Sequence, residues 1–73
     1  MMMTNTEIDN IFTYHAPLPG QPERYTLIRA AARDFARVIL DTTPPGDDQD
    51  AAIRKLRECV MTANAAIALE KPE

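Results

Sequence analysis

The sequence predicts an all-α fold: a short N-terminal helix followed by a two-helix antiparallel hairpin that is completed by homo-oligomerisation. Three observations lead to this prediction. Apolar residues recur at helical spacing in two long segments, no segment alternates with the period of a β-strand, and prolines and glycines separate the helical segments. We assign residues 1–73 to a single helical-hairpin domain.

Self-association is expected because the chain is short and its apolar side chains are small. A chain of 73 residues buries only roughly 60% of the surface that its unfolded form exposes. Eleven of its apolar residues are alanines, tryptophan is absent, and Phe12 and Phe35 are the only phenylalanines. Alanine faces favour close packing between helices, so sister subunits would complete the core.

The first helix is predicted from three apolar residues at the i, i+3, i+4 spacing of one helical face: Ile8, Ile11 and Phe12. Thr4 or Asn5 would cap it, and we expect residues 1–4 to be frayed. Two prolines and a glycine follow, and residues that precede proline are disfavoured in the α region. We therefore predict an irregular loop over residues 13–21.

The second helix carries the strongest periodic signal in the chain. It should open at Gly20 or Gln21 with Pro22 at the first helical position, where the missing N–H costs nothing. Its apolar face consists of Tyr25, Ile28, Ala31, Ala32, Phe35, Val38 and Ile39. A hairpin turn over residues 43–47 should end the helix, because two prolines and a glycine cannot continue it.

The third helix should begin within a cluster of aspartates that supply an N-cap and first-turn carboxylates: Asp47, Asp48 and Asp50. Its apolar positions are spaced by three and four residues, namely Ile53, Leu56, Val60, Ala63 and Ile67. The short turn before it predicts antiparallel packing against the second helix, with the first helix folding across the hairpin or onto a neighbouring subunit.

Composition limits the possible partners and location. The net charge of -3 argues against binding of long nucleic acid, although a small anion in a local basic pocket remains allowed. The lone Cys59 cannot form an internal disulfide, which indicates a reducing compartment and hence the cytoplasm. We expect neither a secretory signal nor a membrane-spanning segment.

The predicted loop holds the first candidate site residues. Tyr14 and His15, the only histidine, could stack on a base or hydrogen-bond to a ligand, and the loop leads into a helix that carries several arginines. The alternative is that these aromatic side chains cap the hairpin as additional core.

Three arginines recur at every fourth position of the second helix: Arg29, Arg33 and Arg37. We expect Arg29 to lie near the helix N-terminus and its free N–H groups, which attract anions, and it is the best candidate for a phosphate contact. Alternatively, these arginines form a solvated ridge that pairs with Asp34 and Asp41.

Catalysis, metal binding and cofactor binding are not predicted. A zinc site cannot be assembled from His15 and Cys59 alone. The aspartate cluster lacks the central glycine and closing glutamate of a calcium loop. Cys59 beside the Val60 position is expected to be buried and inert, so no nucleophile with a base is predicted and the chain should not be an enzyme.

Four segments of the chain, taken in order and with their spacing, resemble the small phage-encoded anti-CBASS type 2 proteins: Tyr14-His15-Ala16-Pro17, Gln21-Pro22-Glu23-Arg24-Tyr25, Thr43-Pro44-Pro45 and Ala63-Asn64-Ala65-Ala66-Ile67-Ala68. The resemblance extends from about residue 12 to residue 69. The hairpin half is also similar to part of the sponges that block Thoeris signalling.

This resemblance implies a homohexamer that sequesters cyclic dinucleotides such as cyclic GMP-AMP, and cyclic trinucleotides in separate pockets, without cleaving them. Activation of CBASS effectors in the cytoplasm of the infected bacterial host would thereby be blocked. The family's base-stacking tyrosine and its phosphate-binding basic residue, a lysine, fall on Tyr14 and Arg29. Arginine keeps the charge but binds phosphate with a planar fork.

We include four further residues in the predicted ligand-binding set: His15, Pro17, Arg24 and Arg33. A different function remains open. The chain could be a helical-hairpin protein-protein interaction module with no nucleotide ligand, in which the arginines are only solvated.

Overall fold

The computed structural model describes residues 3–71, and within this range the chain forms three α-helices and no β-strand. The helices are α1 (Asn5–Ile11), α2 (Gln21–Thr42) and α3 (Asp47–Ala68). The two long helices pack against each other, which confirms the predicted all-α hairpin. Part of the N-terminal segment that was predicted to fray, residues 1 and 2, lies outside the described residues.

Helix α1 is capped by Thr4, one of the two predicted caps. The Thr4 hydroxyl oxygen accepts a hydrogen bond from the Glu7 backbone N–H at 3.1 Å and also donates to the Glu7 carboxylate at 3.1 Å. Within residues 3–71, α1 does not pack against either long helix. Phe12, which follows α1, is therefore 84% exposed.

Helix α2 begins after Gly20, whose φ of 85° lies in the left-handed region that glycine adopts readily. Gln21 takes the first helical position and Pro22 the second, one place later than predicted. Proline is tolerated there because the first four N–H groups of a helix have no partner within it. At the other end, the Thr43 backbone N–H and hydroxyl both donate to the Ile39 carbonyl.

Helix α3 begins at Asp47, but the N-cap is Gly46 and no side chain caps the helix, so the predicted aspartate cap is wrong. The aspartates do occupy the first turn as predicted, where the helix dipole favours negative charge. The Gln49 side chain donates to the Thr43 carbonyl at 3.0 Å and fastens the turn over residues 43–46 to α3.

The seam between α2 and α3 is the only packed interior within the described residues, and it is thin. Among residues 3–71, Ile67 is the one buried apolar residue, at 6% exposure. Several positions of the predicted apolar faces are half-buried along the seam, among them Ile28, Ile39, Ile53, Leu56 and Val60. Phe35 and Val38 belong to the predicted face of α2 but remain 55% and 52% exposed. The apolar face of α2 is therefore wider than α3 can cover.

The molecule is extended for its size. Its radius of gyration is 15.7 Å, against about 11 Å for a compact domain of this length. Its accessible surface is 6288 Å², whereas a compact monomer of 8.2 kDa exposes about 4500 Å². Neither long helix of the described residues has the length and hydropathy needed to cross a membrane.

Candidate ligand-binding site

The 12–20 loop, which joins α1 to α2, presents Tyr14 to solvent. Tyr14 is 84% exposed, so one or both faces of its ring can accept a flat partner. His15 is half-buried, and its Nε2 atom lies 2.7 Å from the Asn10 carbonyl oxygen. Because a carbonyl can only accept, Nε2 must donate there, which leaves Nδ1 of a neutral ring as an acceptor. Pro17 is exposed between them and the helix.

The end of this loop is held by Gln21, which is 2% exposed. Its Oε1 accepts a hydrogen bond from the Leu18 backbone N–H at 2.9 Å. Its Nε2 donates to the Ile67 carbonyl of α3 at 2.8 Å and, more weakly, to Glu70 Oε1 at 3.4 Å. We refer to this amide and its three partners as the Gln21 bridge.

Arg24 and Glu70 close the same end of the hairpin. The Arg24 guanidinium lies 2.7 Å from Glu70 Oε1, with both side chains about half-exposed. The hydrogen bond from Arg24, followed by that from Gln21, holds the pKa of the Glu70 carboxyl below its ordinary value. Arg24, a predicted ligand contact, therefore already has a carboxylate partner within the chain.

Arg29 and Arg33 lie at the rim of a groove of about 300 Å³ between α2 and α3. Arg57 of α3, which was absent from the predicted set, is the third arginine at this rim. The floor is apolar and consists of the half-buried Ala32, Ala36, Ile53, Leu56 and Val60, and the more exposed Met61 completes the lining. Tyr14 and His15 do not line this groove.

The position of Arg29 differs from the expectation in one respect. It lies eight residues after Gln21, the first residue of α2, which corresponds to about 12 Å along the helix axis. The free N–H groups of the helix terminus are too distant to assist Arg29, and Arg24 is the arginine in the opening turns. What favours Arg29 is its position beside Arg33 and Arg57. Arg37, in contrast, faces Asp34 at 4.0 Å.

A second groove of about 370 Å³ flanks the same seam and is lined by Ile28, Ala31, Ala32, Phe35, Leu56, Cys59, Val60 and Ala63. Cys59 is exposed there, so the expectation that it would be buried is wrong. Among the described residues, no group of histidine, cysteine, aspartate and glutamate side chains is arranged to hold a metal ion.

Sequence reasoning missed Gln21, although a signal for it was present. Gln21 precedes Tyr25 by four residues and Ile28 by seven, so it lies on the apolar face of α2. A long amide side chain on such a face must find hydrogen-bond partners when it is buried. Arg57 had no comparable signal, because its neighbours across the groove come from another helix.

Residues 4–68 match the family described as Acb2/Tad1, hairpin domain. The chain belongs to this family. The match begins at Thr4, the cap of α1, and ends at Ala68, the last residue of α3, so it includes all three helices. This match confirms the resemblance noted in the sequence. The Acb2/Tad1 family consists of sponge-type anti-defence proteins. Comparison with curated proteins and with solved structures gave no significant match.

Proposed function

We propose that this chain is a sponge for cyclic di- and trinucleotide second messengers, which it binds and holds without cleaving them. It would thereby block the activation of CBASS effectors in the cytoplasm of an infected bacterial host. The observation that supports this proposal best is the groove rimmed by three arginines in a chain of a sponge-type family.

The chemistry of the groove suits a cyclic nucleotide. Guanidinium groups bind phosphate oxygens through paired, charge-assisted hydrogen bonds, and Arg29, Arg33 and Arg57 provide three such groups around one opening. The apolar floor can take the face of a base or ribose. The exposed ring of Tyr14 offers a stacking surface of the kind that binds bases without strong sequence preference.

We further propose that the binding unit is a homohexamer. A groove of about 300 Å³ is at the lower limit of ligand pockets and would hold only part of a cyclic dinucleotide. The ligand has near two-fold symmetry, so a two-fold interface would offer each half the same arginines and tyrosine. The accessible surface, well above that of a compact monomer, supports the burial of this protomer against sister subunits.

The residues that line the groove support sequestration rather than hydrolysis. Guanidinium groups bind phosphate but are not bases, and His15 does not line the groove. Cyclic GMP-AMP released by heating the complex should therefore be recovered intact. Linear product above a protein-free control would place the chain among the hydrolases.

One observation favours a different function. The exposed Phe35 and Val38, together with Leu27, Leu40 and Met61, would also suit a module that docks onto another protein. A calorimetric panel of cyclic di- and trinucleotides separates the two possibilities. Saturable binding with a fixed number of ligands per subunit supports the sponge, whereas no binding to any of the panel by the assembled protein supports the interaction module.

A further inference from the structure

Gln21 is the one buried polar side chain within residues 3–71. Both polar atoms of its amide are hydrogen-bonded: the oxygen accepts from Leu18 at 2.9 Å, and the nitrogen donates to the Ile67 carbonyl at 2.8 Å and toward Glu70 at 3.4 Å. Burying an amide is unfavourable unless such partners are present. The partners come from three parts of the chain: the 12–20 loop, the end of α3 and the segment that follows α3.

The bridge also closes the last turn of the loop. The Gln21 backbone N–H donates to the Leu18 carbonyl at 3.1 Å, while the Leu18 N–H donates to the Gln21 side chain. These two hydrogen bonds between Leu18 and Gln21 fix the path of the backbone four residues after Tyr14. The other half of the loop is fastened by His15 to α1, which itself does not pack on the hairpin within the described residues. The hairpin can therefore orient Tyr14 chiefly through Gln21.

We propose that Gln21 is a positioning residue for cyclic-nucleotide binding, which holds the 12–20 loop in the conformation that presents Tyr14 to the ligand. This inference rests on the proposed function. Gln21 does not touch the ligand, because it is buried. Without the bridge, only a fraction of loop conformations is competent to bind, and the apparent dissociation constant rises by the inverse of that fraction.

The substitution Gln21→Met tests this role, because methionine is similar in length and forms no comparable hydrogen bonds. Gln49→Met is the matched control: Gln49 also uses its side-chain amide to fasten a turn, donating to Thr43 at the opposite end of the hairpin. Hydrogen exchange of the Leu18 amide and calorimetry with cyclic GMP-AMP are the two readouts. Circular dichroism and light scattering establish that each variant remains folded and in the same assembly as the parent.

We expect Gln21→Met to speed Leu18 exchange and to weaken cyclic GMP-AMP binding on the order of tenfold, with Gln49→Met unchanged in both. Tyr14→Ala should then cost less in the Gln21→Met background than in the parent, because the tyrosine has already lost its fixed position. Additive losses in this double-mutant cycle, or parent-like binding by a variant with fast Leu18 exchange, would overturn the proposal.

If Gln21→Met does not fold, Gln21→Ala replaces it, since alanine favours the helix and forms no side-chain hydrogen bond. The same cycle and the same outcomes then apply. A parent chain that binds none of the cyclic di- and trinucleotides of the panel refutes the proposed function directly. Rapid Leu18 exchange in the parent refutes the bridge itself, whatever the parent binds.

Discussion

Arg24 has two potential partners for one guanidinium group. Glu70 holds it at 2.7 Å in the free protein, whereas the predicted role would turn it toward a ligand phosphate. Water and ions screen an exposed ion pair, so a phosphate could displace Glu70 at low cost. Arg29 and Arg33 have no ion-pair partner within the described residues and need no such exchange. They are the better candidates for strong phosphate contacts.

Replacing Tyr14 by alanine should weaken cyclic-dinucleotide binding without altering its response to salt. Stacking on an aromatic ring is worth about 1 to 3 kcal/mol per base, a factor of about 5 to 150 in Kd, and involves no net charge. Calorimetric titrations at several salt concentrations measure both quantities. Tyr14→Phe keeps the ring and should bind nearly as the parent does, whereas an equal loss in both variants would indicate that the hydroxyl group is the contact.

Arg29→Ala should both weaken binding and flatten its salt dependence. A hydrogen bond to a charged group contributes about 1.5 to 3 kcal/mol, and ions screen the attraction between guanidinium and phosphate. Arg33→Ala should behave similarly, because both side chains rim the same groove. Arg37→Ala is the control, since Arg37 lies outside the groove and faces Asp34. Equal effects of all three substitutions would point to a general surface charge rather than a site.

The chemistry of individual side chains is evident from the sequence, whereas their partners are not. Arg29 was selected for the wrong reason: the predicted start of α2 already places it eight residues into the helix, and its neighbour Arg57 comes from α3. Cys59 was assigned to the interior because the apolar spacing of α3 includes its neighbour Val60. Burial there depends on how far α2 extends across the seam, which no single helix reveals.

The boundaries of the helices are the structural feature that the sequence predicts best. The prolines and glycines on either side of α2 have local consequences for the backbone, so they bound the helix whatever packs against it. The N-cap of α3 was missed because Gly46 and Asp47 are both acceptable caps, and the choice depends on the path of the turn. Residues that meet across the fold can be far apart in sequence and leave no local pattern. Arg24 and Glu70, for example, are separated by 46 residues.

Glu70, which follows α3, should make the stability of the folded chain sensitive to acid. The pKa of the Glu70 carboxyl is lowered in the folded chain, so the unfolded chain binds its proton more readily. The contribution of this group is complete above the ordinary glutamate pKa of about 4.3 and is lost as the pH falls through the lower folded value. Thermal midpoints measured from about pH 3 to 7 should therefore decline more in the parent than in Glu70→Gln.

Glu58→Gln provides the comparison for this measurement, because it removes an exposed glutamate of α3 that does not contact Arg24. It should leave the acid decline as steep as in the parent. A parent and a Glu70→Gln variant that decline in parallel would show that the contact with Arg24 does not persist in solution.

The protomer buries too little apolar surface for a chain of its size. The described part of the chain has one buried apolar residue and a seam of half-buried side chains, which are a weak basis for a stable monomer, and the apolar face of α2 continues past α3. The predicted homo-oligomer explains both facts with one assumption. The composition of the sequence indicated that the chain has too little apolar volume for a core of its own, but it could not indicate which residues would remain exposed.

Phe35→Glu should break the assembly, because it places a carboxylate on the uncovered face of α2. Burying that charge without a partner costs at least about 2 kcal/mol for each interface. Light scattering should show a species larger than a dimer for the parent and a smaller, less helical species for the variant. Ala30→Glu introduces the same side chain on an exposed part of α2 beside Asp34 and should leave the mass unchanged. A folded monomeric parent at micromolar concentration would contradict the prediction.

The thin seam between α2 and α3 also makes the amount of folded protein depend on how fast the chain is synthesised. If folding requires sister subunits, the folded fraction depends on protein concentration by mass action. Chains made slowly would remain unassembled and accessible to proteases, while faster synthesis would carry the population over a threshold into protected complexes. If the chain acts as the proposed sponge, its capacity to absorb a signalling molecule would then increase more steeply than the rate of translation.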